Sequence, residues 1–164
     1  MSRRPNVVIV FPYEDEYGPF RALCFALKAF EQAGCDVVCL LPENARVIPQ
    51  LRALQVETRL VRRLGTFPRT LNPGRLSAFL RNHLAAAKEI ERIASEKQAN
   101  LIYSLSEAIF CGGLAAARLG LPSITHVMGL SIGSPGWAAN LYIPGRVRPN
   151  PSSPGGMVSR NIPG

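Results

Sequence analysis

Runs of apolar residues alternate with amphipathic stretches along most of the chain. Residues 6–11 form a continuous apolar run rich in β-branched side chains, and Pro12 closes it, which is typical of a strand buried on both faces of a parallel sheet. After an acidic loop, Gly18 and Pro19 open a stretch with apolar residues at every third or fourth position. That spacing predicts a helix that ends at Gly34. The chain therefore begins with the first half of a βαβ unit.

The alternation of strands and helices continues to residue 128. Further strands are predicted at 36–41, 56–61, 100–105 and 123–128, and further helices at 44–54, 74–97 and 107–119. Parallel strands joined by helices require right-handed crossovers. The sequence therefore predicts an α/β fold, a Rossmann-like three-layer sandwich with a mostly parallel sheet of at least five strands and the first strand at its centre.

The helix predicted over 74–97 has the clearest apolar stripe in the chain. The stripe consists of Leu76, Phe79, Leu80, His83, Leu84, Ala87, Ile90 and Ala94. His83 lies on this stripe and is interpreted as a structural residue.

The periodic pattern ends after Tyr142. More than half of the residues between 144 and 164 are Pro, Gly or Ser, and none is acidic. Such a segment cannot bury enough apolar surface to form a further strand. We therefore expect one domain over 1–143 and a disordered tail over 144–164.

The amino-acid composition excludes several classes of protein. The 164 residues are 47% hydrophobic and 18% charged, so the chain as a whole is not compositionally disordered. The apolar runs are shorter than the roughly 20 residues that span a bilayer, and no signal-peptide pattern follows Met1. The four cysteines lack the spacing of zinc ligands. They are interpreted as reduced core thiols in a cytoplasmic protein, and no metal site is predicted.

Basic charge is concentrated in the middle of the chain. The net charge is +8, and residues 46–81 contain eight arginines against the single acid Glu57. Arginines interleaved with leucines suit contact with anionic lipid headgroups, although a solvated surface would have the same composition. Few aromatic residues and no recognition motif argue against nucleic acid. The candidate membrane-docking residues are Arg59, Arg62, Arg63 and Arg69.

Three segments are expected to meet beyond the carboxyl ends of the strands, where open parallel sheets bind ligands. They are residues 12–19, 104–107 and 126–136. Glycines and serines in the third segment offer backbone N–H groups to a phosphate or sugar, although an ordinary loop has the same composition. His126 lies near the end of the predicted fifth strand, which we expect to be buried. It is suited to hydrogen-bond a sugar hydroxyl or to act as a base, or else to be a core histidine bound to a backbone carbonyl.

Known catalytic motifs are not found in the sequence. It has neither a dinucleotide fingerprint after the first strand nor a P-loop. Gly129 to Gly133 match the letters of a nucleophile elbow, but the downstream acid and histidine of a hydrolase are missing. No catalytic residue is assigned.

Several short motifs nevertheless share their order and letters with one enzyme family. They are the run 7–10 with its turn at Gly18, residues 27–37, 100–104 and 112–122, and the stretch from Ile124 to Gly129. Over residues 6–143 the chain resembles the N-terminal, acceptor-side domain of family 4 GT-B glycosyltransferases, truncated before the donor-binding domain. The resemblance implies an enzyme that moves a hexose from a nucleotide sugar to a glycan or glycolipid acceptor.

The chain departs from this family at two motifs. The family has two adjacent glycines in the first turn, where this chain has Gly18 alone, and its His-Gly pair after strand five is replaced by Met128 and Gly129. His126 lies two positions earlier, on the same strand face as Met128. The resemblance and the expected ligand edge together give the candidate acceptor- or ligand-binding residues Gly18, Ser104, Glu107, His126, Gly129 and Ser131.

The resemblance also bears on activity and location. The family's donor-binding half has no counterpart in this chain, so we expect no sugar transfer by the chain alone and no cofactor of its own. The resemblance is consistent with a role in cell-surface polysaccharide synthesis, in the cytoplasm or at the inner face of the membrane. Two alternatives remain open besides a truncated gene product. One is a subunit of a split transferase with a donor-binding partner, and the other is a non-catalytic Rossmann-like module that binds a phosphorylated ligand.

Overall fold

The computed structural model describes residues 4–14, 18–65, 72–106 and 109–127. The predicted tail over 144–164 and the predicted boundary after residue 143 lie outside these ranges. The strands are β1 (Asn6–Val10), β2 (Asp36–Pro42), β3 (Glu57–Val61), β4 (Leu101–Ser104) and β5 (Ser123–Thr125). The helices are α1 (Gly18–Gln32), α2 (Ile48–Ala53), α3 (Pro73–Glu96) and α4 (Cys111–Leu119).

The five strands form one parallel sheet in the order β3-β2-β1-β4-β5. β1 pairs with β2 on one side, from Asn6 opposite Asp36, and with β4 on the other side, from Val7 opposite Leu101. The chain moves outward from β1 to β3 and then returns to the far side of β1. The strand order therefore reverses between β1 and β4. This topology confirms the predicted parallel sheet with the first strand at its centre.

Helices cover both faces of the sheet. Val7, Ile9 and Phe11 pack on one face against α1 and α2, while Val8 and Val10 pack on the other face against α3 and α4. Successive residues of a strand point to opposite faces, so the central strand has apolar residues at successive buried positions, from Val7 to Val10. The two cores confirm the predicted three-layer sandwich.

Three predicted elements extend at least three residues beyond the observed ones at one end. α2 begins at Ile48 rather than at residue 44, with Pro49 in its first turn, where a proline is tolerated because no N–H is needed there. α4 begins at Cys111 rather than at residue 107, and residues 107–108 lie outside the described part of the chain. β5 ends at Thr125 rather than at residue 128.

The prediction of a buried fifth strand is wrong. All three residues of β5 are exposed, and Ile124 and the following Val127 are 48% and 53% exposed. β5 pairs with β4 at the edge of the described sheet. The apolar letters of this segment resemble those of a central strand, and the sequence carries no local signal for its place at the edge.

The apolar stripe of α3 is narrower than predicted. Phe79, His83, Ala87, Ile90 and Ala94 are buried, as the spacing predicts. The three leucines of the stripe are instead 38–44% exposed, because they lie along one border of the buried arc; they are Leu76, Leu80 and Leu84.

His83 is a buried histidine with a structural partner, which confirms its interpretation. Its Nε2 lies 2.9 Å from the carbonyl oxygen of Gly65, and its ring packs against the rings of Phe79 and Phe110 at centroid distances of 4.0 and 4.7 Å. Burial lowers the pKa of His83 below its ordinary value of 6.5, because the charged form is poorly solvated among aromatic rings.

We predict a loss of stability on acidification that depends on His83. The unfolded chain binds a proton at this residue more readily than the folded chain, so the free energy of unfolding should fall as the pH drops below the ordinary pKa of 6.5. Urea unfolding between about pH 7.5 and 5.5 measures this dependence. H83Q should flatten it. A slope unchanged in H83Q would contradict the prediction.

Gly112 allows α4 to approach the sheet closely. A Cβ at this position would fall far inside van der Waals contact with Ser104 Oγ and would lie 3.4 Å from Val10 Cγ2. A Cβ at the neighbouring Gly113 would meet no atom within 4 Å. An added methyl group would therefore clash at Gly112 and meet open space at Gly113.

G112A should lower the free energy of unfolding by about 1–3 kcal/mol through overpacking. G113A is the matched control, and it should be neutral or raise stability by about 0.5–1 kcal/mol, since alanine favours helix over glycine. Adding S104A to G112A should recover part of the loss, because the hydroxyl that clashes is removed. Urea unfolding of the four chains tests this packing, and equal stabilities of G112A and G113A would count against it.

Candidate functional site

The carboxyl ends of β1 and β4 are joined by a polar bridge at the point where the strand order reverses. Tyr13 follows β1 and Ser106 follows β4, and the tyrosine OH lies 3.1 Å from the serine Oγ. The Tyr13 ring packs on Phe11 with a centroid distance of 5.4 Å. Ser106 is fully buried. In an open parallel sheet this crevice is the expected place for a ligand.

A second polar pair lies at the same end of the sheet. The phenol oxygen of Tyr103 is 2.6 Å from Nδ1 of His126, and the backbone N–H of His126 donates to the carbonyl oxygen of Ser104 at 2.8 Å. The Tyr103 ring meets the ring of Phe30 edge-on at 5.4 Å. Burial raises the pKa of Tyr103, so its phenol keeps its proton at neutral pH. Tyr13 and Tyr103 both pack against the core on the α1 face.

Ser104 faces the opposite side of the sheet from this pair. Its side chain is buried beneath α4, next to Gly112, and Ser104 Oγ has no hydrogen-bond partner among the described residues. Its carbonyl oxygen, not its hydroxyl, contacts His126. The structure therefore brings His126 to the expected edge with Tyr103 and places the Ser104 hydroxyl in the packing of α4.

Of the remaining sequence candidates, only Gly18 lies within the described ranges. Gly18 is the exposed first residue of α1, and a Cβ there would meet no atom within 4 Å. Glu107, Gly129 and Ser131 lie outside the described residues. Tyr13, Ser106 and Tyr103 were not among the candidates. The sequence places these residues at the ends of two predicted strands, but it does not indicate which side chains form hydrogen bonds with each other.

Carboxylates from other elements neutralise part of the arginine-rich segment. Arg59 contacts Glu57 at 3.0 Å and Glu96 of α3 at 3.3 Å. Arg62 contacts Glu43 at 3.2 Å, and its backbone N–H donates to Glu89 at 2.9 Å. Arg63 is exposed on the turn after β3, and Arg69 lies outside the described residues. The charge that appears unopposed in the sequence is therefore partly paired in three dimensions.

The cysteines are reduced, and burial makes two of them unreactive. Cys39 and Cys111 are buried, while Cys24 and Cys35 are half-buried. Burial raises the pKa of the Cys111 thiol to about 12, so it stays protonated. Across the described ranges, no three His, Cys, Asp or Glu side chains are grouped so as to hold a metal ion. In the same ranges, every helix is too short or too polar to span a bilayer.

Comparison with known proteins identifies the fold. No protein-family model and no curated protein matches the chain. MurG from Acinetobacter baumannii superposes with a TM-score of 0.57 at 21% identity, over 75% of this chain and 35% of that one. A glycosyltransferase from Rickettsia africae gives 0.58 at 15% identity, over 86% and 34% of the two chains. The spinosyn rhamnosyltransferase SpnG gives 0.56 at 19% identity, over 82% and 38%.

These likenesses define the class of fold. The chain has the Rossmann-like α/β architecture found in GT-B glycosyltransferases, which confirms the resemblance of fold expected from its motifs. The chain spans about a third of the length of these solved proteins. Because the sequence identities are only 15–21%, these comparisons show the fold alone.

Proposed function

We propose that this chain is the acceptor-binding part of a glycosyltransferase that moves a hexose from a nucleotide sugar to a glycan or glycolipid acceptor. The observation that carries the proposal is the pair of polar contacts at the carboxyl edge of the sheet, Tyr13 with Ser106 and Tyr103 with His126. They lie at the crevice where open α/β sheets bind their ligands. The chain supplies this site and does not transfer sugar by itself.

The chemistry of the site suits an uncharged acceptor. Aromatic rings offer flat apolar surface, and their hydroxyl or nitrogen atoms supply a small number of directed hydrogen bonds. Tyr13, Ser106, Tyr103 and His126 include no lysine or arginine, whereas a nucleotide diphosphate calls for charge-assisted contacts. We therefore assign the glycan to this edge and the nucleotide sugar to a donor-binding domain or partner subunit.

The main alternative is a non-catalytic module that binds a phosphorylated ligand. In that case the sugar phosphate should bind more tightly than the parent sugar, because the extra affinity would come from the anion. Under our proposal the phosphate adds nothing to binding at these four residues. Cell-surface polysaccharide synthesis and a cytoplasmic location belong to the proposal as well, and they rest on the resemblance in sequence.

We expect a short oligosaccharide to perturb the NMR signals of Tyr13, Tyr103 and His126, while those of the buried His83 stay unchanged. UDP-hexose should leave the NMR signals of Tyr13, Tyr103, His126 and His83 unperturbed. Y13F removes one hydroxyl, so it should weaken glycan binding about 2–10-fold, the value of a single hydrogen bond. Titration of the full chain by two-dimensional NMR measures each of these effects. Perturbation of the same residues by UDP-hexose, or sugar transfer by the chain alone, would contradict the proposal.

We propose in addition that the basic surface beside β3 contacts anionic lipid. A depression of about 530 Å³ is lined by Arg62, Arg63 and Ala85, together with two glutamates. Arg81 and Lys88 lie four residues before and three residues after Ala85 on α3, so they share its side of the helix. Since Glu43 pairs with Arg62, the exposed positive charge offered to headgroups comes mainly from Arg63, Arg81 and Lys88.

Replacing Arg62 and Arg63 together by Glu should lower the fraction of protein that sediments with vesicles containing 30% phosphatidylglycerol by several-fold. The matched control replaces Arg21 and Lys28 of α1, on the other face of the sheet, by Glu, which changes the net charge equally. Sedimentation at about 0.1 M salt compares the two variants. An equal loss of sedimentation in both variants, or no loss in either, would contradict the assignment of this surface to lipid binding.

A further inference from the structure

We infer that Tyr103 is a positioning residue that holds His126 in the tautomer with its hydrogen on Nε2, so that His126 donates a hydrogen bond to a ligand oxygen and does not act as a base. The nature of the ligand rests on the proposed function. The tautomer and the role of Tyr103 follow from the geometry of the two side chains.

The distance between the two side chains is short for a hydrogen bond, and the imidazole tautomer decides which group donates. Tyr103 Oη and His126 Nδ1 are 2.6 Å apart. Hydroxyl donors form bonds of about 2.5–3.0 Å, whereas N–H donors to oxygen are mostly longer, at about 2.7–3.2 Å. The contact therefore fits a phenol O–H that donates to a bare Nδ1.

The protonation of both groups agrees with this assignment. Burial raises the pKa of Tyr103, so the phenol has a hydrogen to donate. A neutral imidazole carries one hydrogen on its two nitrogens. When Nδ1 accepts a bond, that hydrogen resides on Nε2.

The surroundings hold both rings in place. The edge-on contact with Phe30 orients the Tyr103 ring, and the backbone of His126 is tied to β4 through the carbonyl of Ser104. The Tyr103 and His126 rings are nearly perpendicular, at 86°. Nε2 lies on the far side of the imidazole from Tyr103, and the ring is half-buried. Nε2 is therefore the ring nitrogen of His126 that Tyr103 does not engage.

This arrangement decides between the two chemical roles that His126 could have. A base needs a free lone pair on Nε2, which requires the hydrogen on Nδ1 and a phenol oxygen that accepts it. An Nε2–H donor binds an oxygen atom of a sugar hydroxyl or a phosphate. The tautomer held by Tyr103 is the binding form, so any base for the transfer reaction has to come from elsewhere.

The tautomer is measured directly by two-dimensional ¹⁵N–¹H NMR of the imidazole rings in the full chain. The chain contains two histidines, and His83, whose Nε2 contacts Gly65, serves as an internal reference. We expect His126 to show an unprotonated Nδ1 and a protonated Nε2. In Y103F this signature should shift towards a mixture of tautomers while His83 is unchanged. Protonated Nδ1 at His126, or a spectrum unaltered by Y103F, would overturn the inference.

Y103F retains the ring that packs on Phe30, so a matching thermal unfolding curve separates loss of the hydroxyl from loss of the fold. Binding provides the second measurement. Methyl hexoside and inorganic phosphate are the probes, and whichever one binds should shift Nε2 of His126. Y103F should weaken that binding several-fold. An unchanged affinity in Y103F would overturn the positioning role.

The two proposals fail in different ways. An intact Nε2–H tautomer without any glycan binding would remove the acceptor-binding function and leave the inference standing. Glycan binding with His126 in the Nδ1–H tautomer would remove the inference alone. Binding of phosphate and not of the hexoside would keep the donor role of His126 and favour the phosphorylated-ligand module.

Discussion

The architecture depends on burying β1 on both faces while it is paired along both edges. Its backbone groups are satisfied by β2 and β4, and its side chains belong alternately to the two cores. In such a strand the fully buried positions are apolar, and here they are residues 7–10. Because β2 and β4 flank β1, the chain has to leave on one side and return on the other. The reversal of strand order between β1 and β4 therefore follows from the placement of a single strand.

The crevice is built from hydroxyl and aromatic groups that come together from distant parts of the chain. Tyr13 and Ser106 are separated by 93 residues, and Tyr103 and His126 by 23 residues. Each pair links segments that follow or end different strands. Since parallel strands carry their carboxyl ends to the same edge, the fold gathers these groups without any contiguous motif. The result is a group of hydroxyl, phenol and imidazole side chains at one edge of the sheet, all of which form directed hydrogen bonds.

The number of charged residues in a segment does not give the charge that the segment presents in the folded protein, as residues 46–81 show. Residues 46–81 hold one acid among eight arginines, yet Arg59 and Arg62 meet Glu96, Glu43 and Glu89, all from outside that segment. Glu57 is also bound by Lys97 at 2.7 Å, which lowers the pKa of this carboxyl. Exposed ion pairs of this kind contribute little stability each. Their main effect here is to reduce the field that the arginines present to solvent.

The sequence by itself determined the fold class, the central position of the first strand and the structural role of His83, because these depend on local apolar patterns and their order. It also singled out His126 as a residue at the ligand edge. Only the tertiary structure decided that β5 is exposed, that Leu76 and its neighbours border the buried face, and that Tyr103 orients His126. These outcomes depend on which strand lies at an edge and which side chains meet across the sheet, and such non-local pairings leave no trace in the spacing of residues along the chain.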